Sequence, residues 1–177
     1  MRASALLLPL LLCCSLAVAA PRGPERGDLA PGLLGQDPEG KPVTLEAFRG
    51  RLVVVAFWNT RCGYCLVEVP TLENRQQVTG VAQLQVVAVN VNDSGKDWSG
   101  MLRQMRDYAL VQARDPAGSV ASAWGVLMLP NLWLLDAEGK VLRHYEDYTQ
   151  EALPGMLEEI QRAVQQASAP AATATTR

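Results

Sequence analysis

The sequence predicts an α/β fold with a mixed central sheet, on three observations. Residues 52–57 are six consecutive apolar residues, several of them β-branched, which is typical of a strand buried on both faces of a parallel sheet. Helical spacing of apolar residues follows over about residues 63–79, so this strand leads directly into a helix. Residues 131–135 and 141–145 are two further strand-like runs joined by a turn at 136–140, which indicates an antiparallel hairpin.

Two short elements precede the buried strand. Residues 38–42 contain two prolines and a glycine and predict a turn, after which residues 42–45 are expected to form one strand of an N-terminal hairpin. Residues 46–49 are expected to form one helical turn that ends at Gly50.

The helix over residues 63–79 contains Pro70, which should kink it, because proline removes a backbone donor and clashes one turn back. Its apolar stripe is expected to face the sheet, and its polar side chains are expected to face away. The stripe consists of Cys65, Leu66, Val69 and Leu72, and the outward residues are Glu73, Asn74, Gln76 and Gln77.

The remaining elements follow in order. Residues 84–91 predict a second interior strand, and Ser94 or Asp97 is placed to cap a helix over about residues 97–108. Next come a short strand at 110–111, a turn at 115–118, a short helix over 119–124 ended by Gly125, and, after the hairpin, a final helix over about 151–166 with Leu153, Met156, Ile160 and Val164 inward. Trp98, Trp124 and Trp133 are expected in the core or at its rim, and His144 is expected to be a surface or strand residue rather than a ligand.

The first 19 residues have the features of a signal peptide. Arg2 is a short positive region, residues 5–16 are apolar, and residues 17–19 fit a small-x-small cleavage site. We expect cleavage after Ala19 and therefore export; the alternatives are an uncleaved membrane anchor and a lipoprotein signal, although Leu12 is not the small residue that should precede a modified Cys13. The predicted organisation is a signal peptide over 1–19, a flexible leader over 20–30, one globular domain over 31–167 and a disordered tail over 168–177.

Composition and cysteine usage narrow the function. A formal net charge of −2 over 177 residues gives no electrostatic reason to expect nucleic acid. Without the signal segment, which holds Cys13 and Cys14, only Cys62 and Cys65 remain. This pair closes almost no loop, so it is a poor structural staple, and His144 is the one histidine, too few for a four-ligand zinc site. The Cys62–Cys65 pair therefore favours redox chemistry, and we expect neither a metal nor a cofactor.

The position of Cys62 favours that chemistry. It follows a strand and begins a helix, where unpaired backbone N–H groups and the helix dipole stabilise a thiolate, the nucleophile in disulfide exchange. Cys65 lies one turn further on as the resolving thiol, and Arg61 places a cation beside the attacking sulfur. Glu68 follows Cys65 by one turn, so its carboxylate is a candidate to move a proton on or off the second sulfur.

The run from Phe57 to Pro70, Phe-Trp-x-Thr-x-Cys-x-x-Cys-x-x-Glu-x-Pro, resembles the signature of the TlpA/ResA branch of thioredoxin-like disulfide oxidoreductases. The resemblance extends from about Pro31 to Val164. Further matching pieces are Gly40-Lys41-Pro42-Val43, Asp115-x-x-Gly118, Trp124-Gly125-Val126, Leu129-Pro130 and Leu135-Asp136-x-x-Gly139.

The resemblance implies a thioredoxin-like three-layer fold, with helices on both faces of the sheet, an N-terminal β-hairpin and an αβ insertion before a cis-proline. It implies that Pro130 is this cis-proline, facing the dithiol, and that the backbone of Leu129 is free to pair with a substrate strand. It also agrees with a proton-handling role for Glu68. Trp58, by packing at the site, and Tyr64, by exposure on the first helical turn, complete the expected substrate-binding group.

The chain departs from the family pattern at four places. Ala56 stands where plain thioredoxin has a buried aspartate, which leaves Glu68 as the nearest acid in sequence. Arg61 replaces a tryptophan that usually precedes the first cysteine, and Leu129 replaces the usual Thr or Val. Gly63-Tyr64 replaces the commoner x-Pro between the cysteines and also occurs in the DsbC-type isomerase.

We therefore expect an exported thiol:disulfide oxidoreductase that reduces disulfides of extracytoplasmic proteins, for example in cytochrome c maturation or redox homeostasis. Its expected partners are disulfide-bearing protein substrates and a membrane thiol-disulfide electron donor; we expect a periplasmic monomer, or a membrane-anchored form facing the periplasm. Direction is open, because potentials in related folds span about −270 to about −120 mV. The alternatives are a disulfide oxidase or isomerase, a copper-delivery protein and a non-catalytic thioredoxin-fold binding module.

Overall fold

The computed structural model describes residues 22–169, which form one mixed sheet covered on both faces. The predicted signal peptide, residues 20–21 of the leader and residues 170–177 of the tail lie outside the described residues. The strands are β1 (Leu33–Gln36), β2 (Pro42–Thr44), β3 (Leu52–Trp58), β4 (Leu84–Val91), β5 (Val111–Asp115), β6 (Asn131–Leu135) and β7 (Val141–Glu146). Their order is β2-β1-β5-β4-β3-β6-β7, with β3, β4 and β5 parallel and the other pairs antiparallel.

Four helices cover this sheet in the described residues. They are α1 (Gly63–Thr79), α2 (Gly95–Gln104), α3 (Ser119–Ala123) and α4 (Leu153–Ser168), with single 3₁₀ turns at Leu45–Phe48 and Gln150–Ala152. Side chains of α1, α2 and α4 pack on one face, and those of α3 and the first 3₁₀ turn pack on the other. The predicted fold class, with its N-terminal hairpin and its insertion of α2 and β5 before Pro130, is confirmed.

The central strand β3 explains why its sequence is continuously apolar. All seven of its residues are buried. Val54, Ala56 and Trp58 face the α1, α2 and α4 side, whereas Val53 and Val55 face the opposite core. Because both faces of the sheet are covered here, β3 has no solvent-facing positions, and its sequence does not alternate between apolar and polar residues.

Two elements, α2 and β5, differ most from the sequence prediction in their bounds. Helix α2 begins two residues earlier than expected and ends at Gln104, with Ser94 as its cap: the Ser94 Oγ accepts a hydrogen bond from the Asp97 N–H at 3.2 Å. Strand β5 runs to Asp115 rather than ending at 111. The sequence prediction missed most of this strand because several of its residues are polar. It is an interior strand, because it pairs in parallel with β4 on one side and antiparallel with β1 on the other.

The polar face predicted for α1 is partly wrong. Glu73 and Gln76 are buried, at 4% and 0% exposure, whereas Leu66 is 40% exposed. The two polar side chains are buried because they bind neighbouring backbone: Glu73 accepts hydrogen bonds from the N–H groups of Ala109 and Leu110, both at 2.8 Å, and Gln76 accepts one from Val86 at 2.6 Å. The helix continues through Pro70.

The described part of the expected flexible leader is bonded to the domain. The N–H of Gly27 donates to the Val141 carbonyl at 2.8 Å, and the N–H of Val141 donates to the Asp28 carbonyl at 2.9 Å. Leu29 forms an isolated antiparallel bridge with Lys140. Residues 27–30 therefore extend the sheet margin beside β7 through backbone hydrogen bonds. Between residues 22 and 169, no helix combines the length and the apolar character that crossing a membrane requires.

Candidate active site

The two cysteines lie where β3 gives way to α1, as the sequence predicted. Cys62 is the N-cap of α1, and its Sγ accepts a hydrogen bond from the Cys65 N–H at 3.2 Å. The two residues are joined by a disulfide. Cys65 is fully buried and Cys62 is half-buried, so the first sulfur of the pair is the one that a partner can approach. The unpaired N–H groups of the first turn favour negative charge on that sulfur once the disulfide opens.

The loop before Cys62 is held by a buried carboxylate at the end of β4. Asp93 accepts hydrogen bonds from the Thr60 N–H at 2.8 Å, the Thr60 hydroxyl at 2.9 Å and the Asn90 amide at 2.7 Å. It also pairs with the exposed Arg61 at 3.5 Å. The guanidinium of Arg61, which the sequence was expected to place beside the attacking sulfur, is therefore paired with Asp93.

Glu68 is buried one helical turn beyond Cys65. Its side chain is 2% exposed, one carboxyl oxygen accepts a hydrogen bond from the Tyr148 hydroxyl, and the other has no hydrogen-bond partner within the described residues. Burial raises the pKa of Glu68 from 4.5 to about 7, and the Tyr148 hydrogen bond lowers that pKa by a smaller amount. A carboxyl group with a pKa near neutral can both accept and release a proton at working pH.

A cavity opens beside Cys62 on the side of the Leu129–Pro130 peptide bond, which is cis, as expected. Its volume is about 580 Å³, and Cys62, Arg61 and Leu129 are among its lining residues. Leu127 and Met128 form part of the same wall and are 86% and 50% exposed. The structure therefore brings the first cysteine and the residue before the cis-proline to one open surface.

The other predicted contact residues differ in exposure. Tyr64 is 50% exposed on the first turn of α1, as the sequence predicted. Trp58 is only 1% exposed, with its ring 6.5 Å from that of Trp98, so it supports the site by packing and has almost no surface for direct contact with a substrate. This burial corrects its place in the substrate-binding group.

The remaining tryptophans and the histidine lie away from the solvent-exposed surface beside Cys62. Trp98, Trp124 and Trp133 are all buried. His144 lies in β7, stacked on Trp133 with ring centroids 3.6 Å apart, and burial lowers the pKa of its imidazole against the opposing charge of Glu146. No group of three or more potential metal ligands occurs within residues 22–169.

Sequence reasoning missed two residues of the site, Asp93 and Tyr148. Asp93 could have been predicted from the sequence, because it follows β4, the strand that pairs in parallel with β3. The carboxyl ends of adjacent parallel strands meet at one edge of the sheet. Tyr148 lies eighty positions from Glu68, in the loop before α4, and no spacing in the sequence connects the two.

Comparisons with known proteins agree with this geometry. A family model described as the AhpC/TSA family matches residues 26–144. The chain is 28% identical over 137 residues to the thiol-disulfide oxidoreductase ResA of Bacillus thuringiensis subsp. konkukian, which covers 77% of this chain and 79% of that protein. It is 34% identical over 107 residues to a thiol:disulfide interchange protein DsbE homolog of Paracoccus denitrificans, covering 57% of each. A crystal structure of a putative thiol:disulfide interchange protein DsbE from Chlorobium tepidum superposes with a TM-score of 0.67 at 28% identity, covering 82% of this chain and 99% of that one.

Proposed function

From the premise that this chain belongs to the AhpC/TSA family and is a thiol-disulfide oxidoreductase with a thioredoxin-like fold, we propose that it works as an exported reductase of protein disulfides. The observation that carries the proposal is the pairing of a buried Cys65 with a half-buried Cys62 that opens onto a cavity shared with Leu129. Export is supported by the signal-like pattern of residues 1–19.

The reaction begins with the reduced pair. The Cys62 thiolate attacks one sulfur of a substrate disulfide, a bond forms between Cys62 and that sulfur, and the other substrate sulfur leaves as a thiolate that takes up a proton. Cys65, once deprotonated, attacks the Cys62 sulfur, and the mixed disulfide breaks. The products are the Cys62–Cys65 disulfide and a second substrate thiol, so two electrons pass from the protein to the substrate. A membrane thiol-disulfide donor then returns the pair to its reduced form.

Glu68 supplies the base for the second step. Glu68 lies one turn from Cys65 on the same helix, and both residues are buried. One carboxyl oxygen of Glu68 has no hydrogen-bond partner within the described residues. The proton of the Cys65 thiol passes to the Glu68 carboxylate as Cys65 becomes the nucleophile. A carboxyl pKa of about 7 suits this transfer, because the carboxylate is present at neutral pH and is still basic enough to accept the proton.

The substrate chain lies along the open surface beside Cys62. An extended segment pairs with the backbone of Leu129 in front of Pro130, which aligns its cysteine with Cys62. Leu127 and Met128, exposed at the same wall, offer apolar contact to neighbouring substrate side chains, and Tyr64 borders Cys62 from the first turn of α1. A disulfide-bearing polypeptide fits this surface because its backbone can pair with Leu129 and its apolar side chains can contact Leu127 and Met128.

The first experiment measures turnover and trapping. We expect the protein to catalyse dithiothreitol-driven reduction of insulin, Cys62→Ser to abolish turnover, and Cys65→Ser to accumulate mixed disulfides with the substrate. We expect Glu68→Gln to shift the thiol titration of the pair, whereas Glu158→Gln, at an exposed glutamate of α4, should leave it unchanged. If the parent protein shows no turnover while both serine variants retain partners, a non-catalytic binding module is the better description.

The second experiment fixes the direction. Equilibration of the Cys62–Cys65 pair with glutathione gives its reduction potential. A reductase should lie nearer to about −270 mV, the value of thioredoxin, than to about −120 mV, the value of DsbA. A potential close to the upper value would overturn the reductase assignment in favour of a disulfide oxidase, and disulfide-scrambling activity would favour the isomerase that the Gly63-Tyr64 pair also fits.

A further inference from the structure

The loop between β7 and the second 3₁₀ turn, residues 147–149, contacts both sides of the active site. The N–H of Asp147 donates a hydrogen bond to the carbonyl of Pro130 at 3.3 Å. Asp147 has a φ of 47°, in the left-handed region, which turns the chain sharply at this point. The next residue, Tyr148, donates its hydroxyl hydrogen to a carboxyl oxygen of Glu68. One short loop therefore joins the cis-proline to the buried acid.

In the described part of the chain, Tyr148 provides the side chain that forms a hydrogen bond with Glu68. Only the Tyr148 contact engages the Glu68 carboxyl group there, and no lysine, arginine or histidine pairs with it. Among the described residues, Tyr148 from the loop is the titratable group that contacts Glu68, and Cys65 lies one turn earlier on α1. The carboxyl group thus depends on one hydroxyl for the stabilisation of its charged form.

We propose that Tyr148 is a positioning residue for the proton transfer at Cys65: its hydroxyl fixes one oxygen of Glu68, which leaves the unpaired oxygen to exchange a proton with the Cys65 thiol. This inference rests on the proposed role of Glu68 and adds Tyr148, which lies in a different part of the sequence from the two cysteines. The hydroxyl acts as a donor throughout the working range, because burial and the neighbouring Glu68 raise the pKa of Tyr148 above its usual value.

The chain contains a matched control for this contact. Tyr145, three residues earlier in β7, also donates its hydroxyl hydrogen to a glutamate, at 2.6 Å, but this acceptor is Glu159 of α4. Glu159 also binds Arg143. Tyr148→Phe and Tyr145→Phe each delete one Tyr–Glu hydrogen bond and keep the ring, so they separate loss of the Glu68 contact from a general loss of tyrosine hydroxyls.

The direct test follows the Glu68 carboxyl group itself. In the disulfide form, where neither cysteine titrates, the carboxyl ¹³C resonance of Glu68 is recorded against pH for the parent protein and both variants. Tyr148→Phe should raise the Glu68 midpoint by about one pH unit, because a hydrogen bond to the carboxylate is lost. Tyr145→Phe should leave it in place. An unchanged midpoint in Tyr148→Phe, or an equal shift in both variants, would overturn the inference.

A second measurement connects the contact to the thiol. In a Cys62→Ser background, the thiolate absorbance of Cys65 at alkaline pH gives its titration. Tyr148→Phe should shift this titration when Glu68 is present and should have no further effect when Glu68→Gln is already introduced. A shift that persists in the Glu68→Gln background would show that Tyr148 acts without Glu68 and would contradict the proposal.

The outcomes also distinguish this inference from the proposed function. If the parent protein reduces insulin and Glu68→Gln alters the Cys65 titration while Tyr148→Phe alters nothing, the function stands and the role of Tyr148 is wrong. If Glu68→Gln itself leaves the Cys65 titration unchanged, the proton-transfer role fails, and the positioning role of Tyr148 fails with it, even where turnover remains.

Discussion

At the scale of single residues, Glu68 shows how burial that suits proton transfer also affects stability. Its pKa rises from 4.5 to about 7 on folding, chiefly because the carboxylate loses its solvent. The folded protein therefore binds this proton more tightly than the unfolded chain does. The contribution of Glu68 to stability is complete below about pH 4.5 and is lost as the pH rises through about 7.

Replacement of this carboxyl group should remove that pH dependence. A shift of this size corresponds to about 3 kcal/mol, so the disulfide form of the parent protein should lose about this much of its Glu68 contribution between acidic and alkaline pH. Glu68→Gln should flatten the decline and unfold at higher urea concentration than the parent above neutral pH. Urea unfolding at a series of pH values measures it, with Glu158→Gln as the control. A parallel decline in Glu68→Gln would contradict the assigned pKa shift.

At the scale of elements, α1 is attached to the inserted segment by a buried carboxylate rather than by apolar packing alone. Both oxygens of Glu73 accept backbone hydrogen bonds, from Ala109 and Leu110, just before β5 begins. Helix α1, which contains Cys65 and is capped by Cys62, and the segment that enters β5 are therefore fixed to each other at this point. Glu73 provides the partners that these N–H groups would otherwise lack in the interior.

Loss of the Glu73 carboxylate should loosen the junction between these elements. Glu73→Ala leaves the two backbone donors without acceptors, and we expect the free energy of unfolding to fall by about 2 kcal/mol. The amides of Ala109 and Leu110 should also exchange with deuterium faster than in the parent. Asn74→Ala, at the exposed neighbouring position, should change neither quantity. Equal exchange rates in Glu73→Ala and the parent would show that these donors do not depend on Glu73.

At the scale of the whole molecule, the sequence was most informative where one local pattern determined the structure. The buried strand β3, the helix start at Cys62 and the hairpin of β6 and β7 were predicted correctly, because periodicity and turn chemistry act over a few residues. Strand β5 and the buried polar face of α1 were not, because pairing with distant backbone overrides local polarity. The same reason hid Tyr148, whose role depends on a contact between the loop before α4 and α1.

The N-terminal segment, residues 22–26, depends in the same way on distant contacts, because at Gly23 it closely approaches the start of the loop over 125–129, which borders the candidate substrate site. A Cβ added at Gly23 would lie 2.3 Å from the Trp124 carbonyl oxygen and 3.3 Å from the Cα of Gly125, so the backbones meet without room for a side chain. Gly125 immediately precedes Val126, which lines the cavity beside Cys62. The segment that sequence reasoning assigned to a flexible leader therefore supports one wall of the candidate substrate site.

Gly23→Ala should separate this segment from the loop. The added methyl group cannot fit against backbone atoms that have no freedom to rotate away, so residues 22–26 must move, and the loop over 125–129 loses its support. We expect faster amide exchange at Val126, whose N–H donates to Ala121 at 2.9 Å, and a higher KM for a disulfide-bearing protein substrate, with the Cys62–Cys65 potential unchanged. Gly32→Ala is the matched control, because its methyl group would meet only the Glu46 side chain, at an ordinary 3.5 Å. If both alanine variants behave alike, the close approach at Gly23 does not support the loop, and the wall beside Cys62 is held by α3 and the cis-proline without help from the N-terminal segment.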